Sequence, residues 1–340
     1  TLAQLYKEKG KESFIGGPAY YMKKGLKKTW MGILFAILIT VTFGFAFNSV
    51  QSNTICAAVE HAFGISHVPM GIILTGLTLL IIFGGIQRIA KVSSIIVPVM
   101  ALGYVGLALV IVLINITHLP DVIGTIVSHA FGWQQALGGG VAAALMQGIK
   151  RGLFSNEAGM GSTPNAHAQA NVDHPCQQGQ VAIVSVFIDT FLVLNMTAFV
   201  IIGTKMLEPG SVAYVDGKLL DGISLTQAAY TSAFGSFGSI FIAICMLFFA
   251  FSTILGWYFF GETNVKYLFG EKAVKPYIVL VCAFIILGSL MKVSTIWNMS
   301  DCFNSLMVVP NVIGLFALTG VAKKTYKDYK ENFLPKQKKN

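Results

Sequence analysis

The chain has 340 residues, of which 54% are hydrophobic and only 11% are charged, and its formal net charge is +9. Soluble domains carry about 25% charged residues, so this composition excludes a soluble protein and indicates a membrane protein. The basic residues lie between apolar runs and form no single stripe, which argues against a nucleic-acid-binding surface.

Eight apolar runs predict membrane-spanning helices. About 20 residues at 1.5 Å each cross roughly 30 Å of hydrocarbon, and backbone that faces lipid must satisfy its own hydrogen bonds. In chain order the runs cover residues 31–53, 69–87, 92–116, 133–170, 180–203, 235–261, 274–292 and 295–321. The fourth run is long and interrupted. The turn-rich residues 207–222 predict an outer loop, and residues 223–234 predict a short additional helix over the outer face.

The basic residues predict the orientation of these helices. If the first 30 residues are cytoplasmic, most of the 24 Lys and Arg residues fall in cytoplasmic segments, and only Lys205, Lys218 and Lys292 fall outside. An even number of spans then places both basic ends on the same side. The sequence therefore predicts a multi-pass plasma-membrane protein in which both termini of the chain are cytoplasmic.

The stretch GIKRGLFSNEAGMGS, residues 148–162, places charges, amides and glycines inside the fourth run, after the glycines at 138–140. Irregular backbone at membrane depth survives only where it is buried in protein or lines a wet cavity. A helix broken there offers N–H groups to an anion and carbonyls to a cation. The alternative is an interfacial turn with Lys150 and Arg151 at the membrane surface. Residues 155–157 are polar or ionisable, and exposing them to lipid would be energetically costly, which favours the broken helix.

The stretch FFAFSTILGWYFFGE, residues 248–262, carries hydroxyls within an apolar helix. Ser252 and Thr253 follow Phe249 at i+3 and i+4, so two hydroxyls and one carbonyl share a helix face. Such neutral oxygens suit a hard monovalent cation, and Trp257 lies one turn beyond Thr253. The alternative is that the hydroxyls bond only to the backbone of their own helix.

The stretch GFAFNSVQSNT, residues 44–54, places Asn48, Gln51 and Ser52 at i, i+3 and i+4. Amides on one face bind a small polar solute or hold helices together, and the sequence leaves both alternatives open. Two further intramembrane acids are candidate partners for a basic residue of the fourth run, or coupling sites: Asp189 and Asp301.

Several motifs together resemble the sodium:alanine (or glycine) symporter family. They are GGPAYYMKKGL near the start, QSN in the first run, GIKRGLFSNEAGMGSTPNAHA in the fourth, FSTILGWYFFGE in the sixth, and the WN…VPN run over residues 297–311. The resemblance covers essentially the whole chain. This family is similar to amino-acid transporters built as two inverted five-helix repeats, so it implies an all-α integral membrane protein with ten core helices.

The resemblance also implies that eight of those ten core helices are present. The basic loop over residues 1–30 looks like the cytoplasmic loop after the second core helix, so we expect a fragment that lacks the first two. Residues 31–116 then form three helices of an incomplete first repeat, and 117–133 form the outer connection. Residues 134–321 form a complete second repeat, and 322–340 form a basic cytoplasmic tail.

The resemblance implies a site for a small neutral amino acid and a site for sodium. The implied substrate-binding residues are Gln51, Phe154, Asn156, Thr253 and Trp257. The implied sodium ligands are the carbonyl of Phe249 and the hydroxyls of Ser252 and Thr253. Sodium is the coupling ion, and no organic cofactor is implied. The expected partners are the amino acid, sodium and the lipid bilayer, with no nucleic acid.

We therefore expect secondary active symport of alanine or glycine with sodium by alternating access, with proton coupling as the alternative. A membrane channel is less favoured, because it needs neither broken helices nor occluding aromatic side chains. An enzyme is not expected, since the six histidines lie mostly at the ends of spans and no HExxH spacing occurs. The five cysteines are an odd count and lie mostly in or beside apolar segments, which disfavours a disulfide framework.

Overall fold

The computed structural model describes residues 1–10, 13–131 and 140–337. The helices are α1 (Leu2–Leu5), α2 (Pro18–Lys24), α3 (Thr29–Phe63), α4 (His67–Ile82), α5 (Gly85–Ile114), α6 (Leu119–Phe131), α7 (Gly140–Asn156), α8 (Pro164–His167), α9 (Pro175–Gly203), α10 (Gly222–Phe234), α11 (Ser236–Phe269), α12 (Val274–Leu290) and α13 (Val293–Gln337). Two short antiparallel hairpins pair β1 (Glu8–Lys9) with β2 (Phe14–Ile15), and β3 (Tyr214–Val215) with β4 (Lys218–Leu219).

Six of the described helices are long and apolar enough to cross a membrane: α3, α5, α9, α11, α12 and α13. Helix α4 is also apolar but has 16 residues, and α7 has 17 residues. The prediction of an all-α membrane protein is confirmed. The count of eight spans and the inverted-repeat arrangement stay predictions.

The outer surface of the helices is strongly apolar. The side chains of Phe83, Leu102 and Phe316 are 76%, 76% and 77% exposed, and many other large aliphatic side chains also point outward. Monomeric soluble proteins rarely expose contiguous apolar patches of more than a few hundred Å². An apolar outer surface of this kind is typical of helices that span a membrane, in agreement with the composition.

Helix α11 lies at the centre of the packing. Its Leu255 and Tyr258 pack with α3, α4 and α12, whereas its Trp257 and Phe260 pack with the first half of α3 and with α13. Nearer its start, Ile242 packs with α5, α9 and α10. The middle of α11 therefore lies where three buried clusters meet, and its side chains there are fixed from several sides.

Polar side chains of α3 hold it against α12. Ser52 Oγ donates to the carbonyl of Ile285 at 2.7 Å, and Asn53 Nδ2 donates to the carbonyls of Gly288 and Met291 at 3.0 Å each. Gly288 permits this approach, because a Cβ added there would lie 2.5 Å from the backbone of α3. Ser52, on the amide-bearing face, therefore holds two helices together.

Three of the described long helices contain a π-helical turn that the sequence did not predict, and the turn in α13 covers Tyr329–Phe333. The turn in α3 covers Thr42–Phe47, and the turn in α9 covers Ile188–Leu194. Single π-helical turns within α-helices occur frequently at functional sites. The turns in α3 and α9 border the site described below.

The segments predicted as outer connections are partly regular. Residues 117–133, predicted only as a connection, contain α6, and the predicted loop over 207–222 contains the β3–β4 hairpin. The short helix predicted over residues 223–234 is confirmed as α10.

Candidate functional site

The fourth apolar run is broken, as its glycines and polar residues predict. Helix α7 ends at Asn156, and helix resumes only at Pro164 in α8. Between them Glu157, Gly159 and Gly161 adopt φ angles of 54°, 84° and 94°, in the left-handed region that favours glycine. The broken helix is therefore confirmed.

The break is shorter than the glycine pattern predicts. Helix α7 continues through Gly148 and Gly152, so irregular backbone is confined to residues 157–163. The glycines at 138 and 139, which were expected to lead into this region, lie outside the described residues.

Side chains from two distant helices hold the break in place. Asn311 Nδ2 of α13 donates to the carbonyl of Gly159 at 2.8 Å, and Asn311 Oδ1 accepts a hydrogen bond from Tyr21 of α2. On the other side, Asn264 of α11 donates to Asn165 Oδ1 at 3.1 Å. The irregular backbone is thus partly buried in protein, over residues 160–162, and partly lines a cavity, over residues 157–159, which are the two settings in which it survives at membrane depth.

A cavity of about 510 Å³ lies between α3, α7, α9 and α11, and we call it the central cavity. Its lining residues are Gln51, Arg151, Phe154, Ser155, Glu157, Leu194, Thr253 and Trp257. Four of the five predicted substrate residues therefore line one cavity. Its volume falls within the range of about 300–1,000 Å³ that is usual for small-molecule sites.

Aromatic rings form one wall of the central cavity. The ring centroids of Phe47 and Phe154 are 4.7 Å apart, those of Phe47 and Trp257 are 5.0 Å apart, and those of Phe154 and Trp257 are 5.7 Å apart. Trp297 of α13 packs on Phe154 at 4.9 Å. Phe47 is the last residue of the π-helical turn in α3, so that turn places a ring against the site.

Asn156, the fifth predicted substrate residue, does not line the central cavity. Its Nδ2 donates to Thr190 Oγ1 of α9 at 3.1 Å, and its Oδ1 accepts from the backbone N–H of Ala158 at 3.2 Å. It lines a second cavity of about 530 Å³, which Asp189 and Asn311 also line. Both polar ends of the Asn156 side chain are thus bonded within the protein.

The predicted sodium ligands are bonded to one another. Ser252 Oγ and Thr253 Oγ1 each donate to the carbonyl of Phe249 at 2.8 Å, which is the own-helix alternative that the sequence left open. A hydroxyl that donates its proton still has lone pairs for a cation. Thr253 lines the central cavity, whereas the Phe249 side chain lines a separate, mainly apolar cavity of about 250 Å³.

The basic residues of α7 pair with α13. Arg151 forms an ion pair with Asp301, and Lys150 Nζ lies 3.5 Å from the same carboxylate. The Arg151 guanidinium also lies 4.3 Å from the ring centroid of Trp297. Of the two candidate acids, Asp301 is the partner of Arg151, whereas Asp189 accepts a hydrogen bond from Ser155 at 2.8 Å.

Glu157 was given no site role by the sequence, yet it lines both cavities. Trp257 Nε1 donates to its Oε1 at 2.8 Å, and Ser162 and Thr163 donate to its Oε2 at 2.5 and 3.0 Å. A carboxyl group within an intramembrane helix break is itself a signal of function, because ionisable residues there are costly.

Similarity to known proteins decides the family. The sodium:alanine symporter family matches residues 1–340, the whole chain. The chain belongs to this family. It is therefore a multi-pass membrane protein of a family of sodium-coupled amino-acid symporters.

Individual relatives agree with this assignment. The chain is 48% identical over 331 residues to "Probable sodium/glutamine symporter GlnT" of Bacillus subtilis, which covers 97% of the chain and 67% of that relative. It is 47% identical over 330 residues to "Amino-acid carrier protein AlsT" of the same organism, covering 97% and 69%. It is 37% identical over 320 residues to "Sodium/alanine symporter AgcS" of Methanococcus maripaludis, covering 93% and 69%. The chain thus spans about two thirds of the length of these relatives.

Proposed function

We propose that this protein carries a small neutral amino acid, alanine or glycine, across the plasma membrane together with sodium, by alternating access. The central cavity is the observation that carries this proposal. It lies beside a broken helix, and it combines an aromatic wall with the amide of Gln51 and the hydroxyl of Thr253. A family of sodium-coupled amino-acid symporters supplies the reaction class.

The charges of the cavity favour a solute without net charge. Arg151 and Glu157 are the ionisable residues among its lining side chains, and their charges are opposite, although Arg151 is also paired with Asp301. The packed rings of Phe47, Phe154 and Trp257 take up space along one side of the cavity, which favours a solute with a small side chain. Glutamine is the second candidate, because a relative of 48% identity is named as a probable sodium/glutamine symporter.

Sodium supplies the driving force in this proposal. A sodium ion that moves down about 100 mV releases about 2.3 kcal/mol, enough for a roughly fiftyfold gradient of a neutral solute. The oxygens of Phe249, Ser252 and Thr253 are the proposed ligands. Proton coupling is the alternative, since a relative of 41% identity is named as a putative sodium/proton-dependent alanine carrier.

The proposal includes an architecture and an orientation. Both termini face the cytoplasm, and the helices belong to a two-inverted-repeat arrangement in which the helices within residues 134–321 form the second repeat. Lys218, in β4, then lies outside the cell, whereas Lys330, near the end of α13, lies inside. The excess of basic residues near the two ends supports this orientation.

The test is uptake of radiolabelled alanine by the purified full-length protein in proteoliposomes with an inward sodium gradient. We expect uptake that saturates with alanine concentration and stops when choline replaces sodium. We also expect unlabelled alanine and glycine to inhibit this uptake better than glutamine does. Better inhibition by glutamine would assign the second candidate. Uptake driven equally well by a proton gradient without sodium would contradict sodium coupling, and flux that does not saturate would contradict a carrier.

Two tryptophan variants connect that uptake to the central cavity. Trp257→Ala removes a ring that lines the cavity, and we expect the alanine concentration for half-maximal uptake to rise about tenfold, since loss of a packed aromatic contact costs 1 kcal/mol or more. Trp30→Ala is the matched control, because that ring is 65% exposed at the start of α3. Equal effects of both substitutions would place the substrate site elsewhere.

A further inference from the structure

The position of Glu157 separates it from the other acidic residues of the protein. It follows α7 directly, it has a φ of 54°, and its side chain is partly buried. It lines both the central cavity and the second cavity, so the carboxyl group lies at the boundary between two spaces. A charged group at such a boundary contacts whatever occupies the central cavity.

The hydrogen bonds of Glu157 fix its carboxyl group but leave one acceptor position open. A carboxylate offers about four lone-pair positions. Trp257 occupies one on Oε1, whereas Ser162 and Thr163 occupy two on Oε2. Oε1, the oxygen bonded to a residue of the central cavity, therefore has capacity for one more donor.

The charge of Glu157 has no counter-charge among the residues that the structure describes. Every ion pair found within those residues involves other acids, and the three donors to Glu157 are neutral groups. The other charged group of the central cavity, Arg151, is already paired with Asp301. A partly buried carboxylate without a cationic partner is costly, so a cationic ligand group would be bound favourably there.

We propose that the Glu157 carboxylate binds the α-ammonium group of the amino-acid substrate in the central cavity. This inference rests on the proposed function and names the group that recognises the ammonium end of the solute. An ammonium brings a full positive charge and three N–H donors, so one donor fills the open position on Oε1. Gln51 and Thr253, which line the same cavity, offer oxygens to the other two.

The experiment compares ligands that differ only at the ammonium position. Binding to purified protein in sodium buffer is measured for L-alanine and for L-lactate, in which a hydroxyl replaces the ammonium. Glu157→Gln keeps the shape of the side chain and removes its charge. We expect this variant to bind alanine at least about tenfold more weakly while its affinity for lactate stays the same or rises, because charge-assisted hydrogen bonds are among the strongest in proteins.

Three further measurements make the outcome decisive. Glu262→Gln is the matched control, because that carboxylate pairs with Lys266 at 2.8 Å and lines neither cavity. Glu157→Asp keeps the charge and should retain the preference for alanine over lactate. Sodium is titrated at saturating alanine, because the two ligands are linked.

Each possible result supports or overturns the inference. An unchanged preference of Glu157→Gln for alanine over lactate would overturn the inference. If that preference is unchanged and the variant needs more sodium, the carboxylate binds the ion and the inference is also overturned. If the variant does not fold, competition for alanine binding is measured on the unmodified protein. L-Alaninamide, which keeps the ammonium group, must then compete with alanine better than L-lactate does. Absence of any sodium-dependent amino-acid binding by the unmodified protein would instead contradict the proposed function.

Discussion

Replacement of Thr253 by valine tests the proposed sodium site most directly. Thr253 is the predicted sodium residue that lines the central cavity, and Thr253→Val exchanges its hydroxyl for a methyl group of similar size. The variant loses the 2.8 Å hydrogen bond to the Phe249 carbonyl, which still accepts from Ser252. We therefore expect nearly normal folding and expression.

The expected size of the effect follows from these contacts. A contact between a neutral oxygen and a cation is comparable to a hydrogen bond to a charged group, worth about 1.5–3 kcal/mol. Loss of the Thr253 hydroxyl also frees an acceptor position on the Phe249 carbonyl, another proposed ligand, which offsets about 1 kcal/mol of this loss. The difference of about 0.5–2 kcal/mol corresponds to a rise of about two- to thirtyfold in the sodium concentration for half-maximal uptake.

The assay is a sodium titration of alanine uptake at saturating alanine, because the two ligands are thermodynamically linked. Thr40→Val is the matched control, since Thr40 Oγ1 donates to the carbonyl of Ala36 at 2.7 Å in α3 and lies outside the cavity lining. An unchanged sodium requirement in Thr253→Val, at normal expression, would refute the reasoning and leave the hydroxyl as a bond within its own helix.

Two further predictions concern stability and orientation. Asn53→Ala removes two 3.0 Å hydrogen bonds between α3 and α12, and such bonds average about 0.6 kcal/mol in membrane proteins, with a maximum near 1.7. We expect the free energy of unfolding, measured by reversible unfolding in detergent, to fall by about 1–3 kcal/mol. Asn195→Ala is the control and should lower it less, because the Asn195 amide bonds only within α9. Equal losses in the two variants would mean that the contact with α12 adds no stability. The cysteine introduced by Lys218→Cys should react with an impermeant maleimide added outside intact cells, and the one introduced by Lys330→Cys should not. The unsubstituted protein gives the background labelling. The reverse pattern would contradict the proposed orientation.

Features that depend on transfer of residues out of water were predicted well from the sequence. Apolar runs of sufficient length must be helical in lipid, so the major helices followed from hydropathy. The break after Asn156 followed from glycines and polar residues that a lipid-facing helix does not tolerate. Gln51, Phe154, Thr253 and Trp257, which were chosen from motifs that resemble the family, line one cavity, and their role there stays a prediction.

Features that depend on side-chain direction were not predicted. Asn156 points to Thr190, which lies in the π-helical turn of α9, and a π-helical turn has no residue signature in the sequence. Ser252 and Thr253 both bond to Phe249, and helical spacing alone does not distinguish that arrangement from an open ligand set. The three donors to Glu157 come from residues whose proximity depends on the backbone of the break.

The π-helical turn at Thr42–Phe47 makes the number of residues in α3 important for the directions in which its side chains point. Each residue advances an α-helix by about 100°, and a π-helical turn accommodates one residue more than an α-helical turn does. Before the turn, Phe35 and Ile39 face the cluster that contains Trp257; after it, Ser52 and Asn53 face α12. Deletion of a single residue within the turn would rotate these two faces relative to each other and carry Gln51 away from the central cavity. The residue count between Ile39 and Gln51 therefore determines the direction of the amide.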